Sequence, residues 1–253
     1  MGVQAAIGFT RSLAVYRLNL VGQRRMRRLY GQFVQPGDVV FDIGAHVGDR
    51  VWALRSLGCR VVAVEPQPLF MRFLHLLYGR SLNVALEFCA LGAKAGSGEM
   101  LVSRRNPTLS SLSPDWVGET GQVDGFRHVS WDDRAPVRIN TLDALIARHG
   151  TPSFCKIDVE GFELNVLQGL TTPIPTISFE FLRSQPDRAV QCLEQVERIG
   201  DYRFNVSYGE HLKLMMSEWC SAQDIARHIT QLPERISSGD IYARINLKPM
   251  EGL

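Results

Sequence analysis

Asp42, Gly44, Gly48 and Asp49 stand in the pattern Asp-x-Gly-x-x-x-Gly-Asp, which begins within the apolar run Val39-Val40-Phe41-Asp42-Ile43. A buried strand ending at an acid, two glycines in a tight loop and a second acid opening an apolar-periodic segment predict a strand–loop–helix unit. The glycines let the backbone turn sharply and approach a ligand, and N–H groups at the helix start favour an anionic group. Asp42 is expected to shape the loop and receive an ammonium group of the ligand. His46, between the glycines, reads as a loop residue with a backbone contact rather than a catalytic base. A second apolar run, Arg60–Val64, ends in Glu65-Pro66, about 20 residues beyond the loop, where an acid meets ribose hydroxyls in nucleotide-binding sheets.

The dinucleotide fingerprint needs three glycines, and Ala45-His46-Val47 does not supply the middle one. The Gly-Lys-Ser/Thr of a P-loop is also absent. A ribose-binding acid without a pyrophosphate loop suits S-adenosylmethionine better than NAD. Further acids follow: Asp158 and Glu160 after the run Phe154–Ile157, and Glu180 near the end of the run 176–181. Asp42, Glu65, Ala90, Asp158 and Glu180 thus fall at the carboxyl ends of expected strands, where ligands bind in doubly wound sheets. Burying four acids there without partners would be costly, which favours a ligand-facing role.

From Lys156 to Glu163 the chain reads Lys-Ile-Asp-Val-Glu-Gly-Phe-Glu. With the first two motifs in this order, residues 37–181 resemble the FkbM-type family of S-adenosylmethionine-dependent methyltransferases. The resemblance implies an α/β, class I Rossmann-like fold: a doubly wound, mostly parallel sheet with its last strand antiparallel. It also implies S-adenosylmethionine as cofactor, with Asp42, Gly44, Ala45, His46, Gly48, Glu65, Pro66, Ala90 and Leu91 as candidate contacts. The expected reaction is O-methylation of a hydroxyl on a sugar, glycan, lipid or secondary metabolite. A cofactor-binding module that has lost catalysis and acts through a partner is the competing reading.

Methyl transfer asks the protein for alignment, exclusion of water and removal of the acceptor's proton. Asp158, Glu160 and Glu180 are the candidates for that last task. A shared Mg²⁺ and a helix-capping role for Glu160-Gly161 stay open beside general-base action; no metal ligand set is assigned. Asp158-Val159-Glu160-Gly161 is unlike the Asp/Asn-Pro-Pro-Tyr of nucleobase amino-methyltransferases, and the Pro-Cys nucleophile of cytosine-C5 enzymes is missing. No nucleic-acid partner is expected.

The 253 residues suffice for one large α/β domain, and 45% hydrophobic content with a net charge of +2 describes an ordinary soluble chain. Five cysteines without a Cys-x-x-Cys pair argue against a zinc site or disulfide framework and for a reducing, cytoplasmic setting. No apolar run approaches the ~18 residues of a membrane span, and no signal-peptide core opens the chain. Before Asp38 there are no acids, but Arg11, Arg17, Arg24, Arg25, Arg27 and Arg28 lie among Leu13, Tyr16, Leu20 and Leu29. Residues 1–36 read as a basic helical segment: helices with solvated arginines, or a face touching anionic lipid or glycan.

Residues 37–253 read as the methyltransferase domain. Strands are expected at 39–43, 60–64, 85–90, 154–157, 176–181, 202–208 and 241–245, with helices at 49–57, 69–78, 142–149, 162–170, 187–199 and 224–231. From 96 to 136 the rhythm stops in turn-rich sequence, with a short strand at 100–102. The resemblance implies a cap beside the substrate pocket there, with an added strand at 137–140.

Overall fold

The computed structural model describes residues 3–13, 15 and 19–246. Tyr16 and Arg17, counted in the basic face above, lie outside the described residues. Helices α1 (Val3–Ser12) and α2 (Leu20–Tyr30) precede the first strand. In α2 the Asn19 side chain accepts the Gly22 N–H, while Gln23, Met26, Leu29 and Tyr30 form one buried stripe. Arg24, Arg25, Arg27 and Arg28 point outward, as a three-to-four residue apolar spacing requires.

A seven-stranded sheet follows: β1 (Val39–Ile43), β2 (Arg60–Val64), β3 (Val84–Glu87), β7 (Phe154–Ile157), β8 (Thr176–Leu182), β9 (Tyr202–Tyr208) and β10 (Ser238–Ile245). Its order is β3-β2-β1-β7-β8-β10-β9. β10 runs antiparallel to both neighbours, and the pairs among β3, β2, β1, β7 and β8 are parallel. This is the class I methyltransferase arrangement, with the antiparallel last strand as expected. Short apolar runs buried on both faces make such a sheet, because helices cover each side. On one face lie α2, α3 (Asp49–Ser56) and α4 (Pro68–Tyr78), through Met26, Leu29, Val51, Leu54 and Leu74. On the other lie α6 (Leu142–His149), α7 (Glu163–Gln168), α8 (Pro186–Ile199) and α9 (Ala222–Thr230).

The third strand departs from expectation. It ends at Glu87, whose carboxylate accepts from Arg148 at 2.8 and 2.9 Å and pairs with His149 at 2.8 Å. Ala90–Leu91 instead form β4, in a separate sheet ordered β4-β6-β5 with β5 (Gly96–Val102) and β6 (Asp133–Asn140). Residues 96–136 are therefore built around an antiparallel pair rather than structureless. Between its strands sits α5 (Pro114–Thr120), capped by Ser113, with Trp116 buried. All five cysteines are free, and four are buried. No helix among the described residues is long and apolar enough to cross a membrane.

Candidate active site

The glycine loop is closed on itself. The Gly44 and Ala45 N–H groups both donate to the Val64 carbonyl at 3.0 Å, and Gly48 N–H donates to Ala45 at 2.8 Å. Gly44 has φ +88°, and a Cβ there would overlap the Asp158 carbonyl, so only glycine lets β1 and the loop after β7 approach this closely. At the start of α3, the Asp49 carboxyl is buried, and burial raises it above the usual range although Arg50 and the local backbone N–H groups lower it. The anion cradle expected from the sequence is therefore not formed: the amides of Gly44, Ala45, His46 and Gly48 are spent within the protein, and an acid already occupies the helix start.

Glu65 follows β2 directly and is buried. Its Oε2 accepts from His46 N–H at 2.9 Å and its Oε1 from Gln67 N–H at 2.8 Å. Both oxygens are aimed, and each keeps lone-pair capacity for a ligand hydroxyl. Burial raises this carboxyl to about 7. His46, at φ 48° and with its ring tilted at 57° against Phe70, is pushed down to about 3 by burial, so its ring is neutral. The backbone contact expected of His46 is the one it makes to Glu65.

Asp158, Glu160 and Glu180 come together: ligand atoms from the three lie within 4.8 Å of one another. Asp158 follows β7, while Glu180 lies inside β8, two residues before its end, rather than at the tip. Burial would raise Asp158, but the Arg50 guanidinium, hydrogen-bonded to it, and the Lys156 ammonium at 3.7 Å hold it below the usual carboxylate range. Lys156 in turn donates to Asp240 at 2.7 Å, opposite Glu180 in the β8–β10 register. Desolvation and then the Asp158 charge push Glu160 and Glu180 well above the usual range. One carboxyl held below its usual range thus sits beside two pushed above theirs.

The loop carrying Glu160 is tied from the inserted segment. Ser111 Oγ donates to the Glu160 carbonyl, and a Cβ at Gly161, φ +84°, would overlap the Trp116 ring. Glu160 itself takes φ 54°, a conformation that non-glycine residues adopt at some cost and that recurs at functional sites. The acid that holds the loop amides is Glu163, whose Oε1 accepts from Val159 at 3.0 Å and Gly161 at 3.3 Å. The loop amides before α7 are thus held by Glu163, no side chain caps α7 itself, and Glu160 lines the cleft.

One cleft gathers these groups. Gly44, His46, Glu65, Pro66, Ala90, Leu91, Asp158, Glu160 and Glu180 line it, with Met100, Thr108, Ser110 and Leu112 from the inserted segment. Ala45 and Gly48 stand behind that wall. So does Asp42, which is fully buried, raised to about 7 by burial, and has both carboxylate oxygens without hydrogen-bond partners among the described residues. Sequence reasoning missed Arg50, Lys156, Glu163 and Asp240. Lys156 did carry a signal, since a charge amid the buried run Phe154–Ile157 demands a partner.

The methyltransferase FkbM domain matches residues 42–221. The hexuronic acid methyltransferase AglP of Haloferax volcanii is 24% identical over 163 residues, 64% of this chain and 62% of that protein. The chain thus spans less than two thirds of that relative's length. Among solved structures, an O-methyltransferase from Bacillus cereus in complex with SAH is 12% identical, with 97% of this chain and 92% of that one covered and a TM-score of 0.44. A TehB-like SAM-dependent methyltransferase from Corynebacterium glutamicum is 11% identical, with 94% of each chain covered and a TM-score of 0.44. The chain belongs to the methyltransferase FkbM domain family.

Proposed function

We propose that the protein is an S-adenosylmethionine-dependent O-methyltransferase whose acceptor is a hydroxyl, most simply that of a saccharide. The observation that carries this is the convergence of Asp158, Glu160 and Glu180 on the cleft that Glu65 and the glycine loop also line. The donor fits these residues. Glu65 presents two oriented oxygens to ribose hydroxyls. The cleft wall counts six acids (Asp49, Glu65, Asp158, Glu160, Glu180 and Glu210) against Arg50 alone, a field suited to a cation such as the sulfonium. Asp158, kept ionised by Arg50 and Lys156, supplies the nearest fixed negative charge. The closed glycine loop, by contrast, spends the amides of Gly44, Ala45, His46 and Gly48 within the protein, which disfavours a pyrophosphate and so NAD.

Bound S-adenosylmethionine supplies a methyl carbon to which the acceptor oxygen bonds as the carbon–sulfur bond breaks, its electron pair staying on sulfur. Glu160, deprotonated, takes the hydroxyl proton, with Glu180 beside it able to replace it. Their raised basicity suits them to it, because a base is most effective when its pKa lies near the working pH. The hexuronic acid methyltransferase likeness supports a sugar-type acceptor.

Calorimetry with S-adenosylmethionine and NAD tests the donor: only the former binds, and S-adenosylhomocysteine is released once an acceptor is added. Binding without transfer to any hydroxyl would make the chain a non-catalytic module. Glu65→Ala weakens S-adenosylmethionine binding by roughly 1–3 kcal/mol, as for a lost charged hydrogen bond, with the fold retained. Unchanged affinity would remove Glu65 from the donor site. The three acids would also suit a divalent cation, so turnover is to be measured in excess EDTA. It persists if the cluster acts as a base; a loss restored by Mg²⁺ would give the acids to a metal instead.

A further inference from the structure

Two further clefts continue the active-site cleft towards the N-terminal helices. Beyond the Arg50–Asp158 pair lies a space bounded by Met26, Tyr30, Glu180, Leu212, Ser238 and Asp240. Outward from it runs a groove along α2, bounded by Val15, Asn19, Gly22, Gln23, Met26 and Leu212. Asp49 and Glu210 border all three spaces, and Arg50, Asp158 and Glu180 border the first two. The acids that would take the proton therefore face both the donor side, with Glu65, and this N-terminal side. In-line displacement requires the acceptor to approach the methyl carbon opposite the departing sulfur, and the N-terminal side is the one the donor contacts leave open.

A second observation identifies what the groove takes. Gln23 is only 4% exposed, yet its Oε1 has no hydrogen-bond partner among the described residues. A buried acceptor left unsatisfied costs free energy, and a ligand donor would restore it. Of the other polar side chains along the path, Asp49, Glu210 and Asp240 are carboxyl acceptors, Asn19, Tyr30 and Ser238 can donate or accept, and Nη2 of the Arg50 guanidinium is engaged by Asp158. Such walls match a group rich in donors and without negative charge, and Val15, Met26 and Leu212 add apolar surface for ring carbons.

We propose that the cleft between α2 and the Gly209–His211 turn is the acceptor site, that it takes a neutral sugar, and that Gln23 Oε1 accepts one of its hydroxyls. The proposal rests on the methyltransferase reading for its direction of approach. It excludes a carboxylated sugar as the preferred ligand, because the carboxyl groups of Asp49, Asp158, Glu180, Glu210 and Asp240 border these spaces against Arg50, which is already paired with Asp158.

The test is ligand-observed NMR on the full chain, with and without S-adenosylhomocysteine. The probes are the methyl α-glycosides of glucose, galactose and mannose beside the corresponding methyl hexuronides. A neutral glycoside binds saturably. Gln23→Leu and Gln23→Met each weaken it fivefold or more, leave S-adenosylhomocysteine affinity within twofold, and raise the melting temperature because the orphaned acceptor is gone. Absence of binding by all three neutral glycosides, tighter binding of the hexuronides, or a loss under fivefold in both variants overturns the proposal. Glycoside binding without S-adenosylhomocysteine binding would instead refute the enzymatic reading and leave the sugar site standing.

Discussion

Glu160→Gln lowers single-turnover methyl transfer by ~10²-fold or more, the range of a lost general base, while S-adenosylmethionine affinity stays within a few-fold. Glu180, desolvated beside it and likewise raised, substitutes in part. The Glu160→Gln/Glu180→Gln pair therefore falls further than either single change, and the two losses do not simply add. The pH dependence has a definite sign. Only the deprotonated glutamates accept a proton, and burial with the Asp158 charge holds their pKa values high. The rate therefore rises with pH and levels off well above the ordinary carboxylate range. Melting temperature separates this from a structural role. Because Glu163 holds the loop amides, Glu163→Gln costs stability, ~0.5–2 kcal/mol as for a lost cap, whereas Glu160→Gln relieves a like-charge contact and does not. A stable Glu160→Gln protein with wild-type turnover would end the base assignment.

The sheet was legible because its parallel strands are continuous apolar runs punctuated by acids and glycines, and Val39–Ile43, Arg60–Val64 and Phe154–Ile157 begin and end where those runs do. The inserted segment was not. Gly96-Ser97-Gly98-Glu99 has no apolar alternation, and it becomes strand through pairing with Val137, Arg138 and Ile139 across β6. Tertiary pairing overrode a weak local signal. Ala90 was misplaced for a related reason: Glu87, committed to α6, ends β3 early and sends the chain into the second sheet.

The candidate site was read with similar unevenness. Acids at strand ends could be listed, but spacing alone cannot say which of Glu160 and Glu163 turns to the backbone, since both lie within reach of the same loop. The glycine loop suggested free amides, yet those amides close onto Val64 and Ala45, a matter of local backbone geometry. Gln23 was hidden among arginines. Only the buried stripe of α2, with Met26, Leu29 and Tyr30, shows it to be an interior residue.

Lys156→Met destabilises the protein by about 3 kcal/mol, the lower end of what removing one partner of a buried ion pair costs. Lys156 is 1% exposed, and its ammonium bridges Asp240 and Asp158. Burial alone would lower its pKa, yet those two acids raise it, so the charge is present throughout the neutral range. Methionine keeps the stem's length and packing but strands Asp240, whose side chain is only 16% exposed. Asp158 keeps Arg50, so the loss falls chiefly on Asp240. Asp240→Asn in the Lys156→Met background then recovers part of the stability, and a double-mutant cycle gives a coupling above about 1 kcal/mol. Chemical denaturation of the four proteins measures it. The Asp158 carboxyl also rises when the ammonium is gone, which weakens the negative field at the transfer point and S-adenosylmethionine affinity with it. If Lys156→Met unfolds at the wild-type midpoint, water rather than the ion pair satisfies Asp240, and the charge chain from β10 to Arg50 does not set the ionisation of the site.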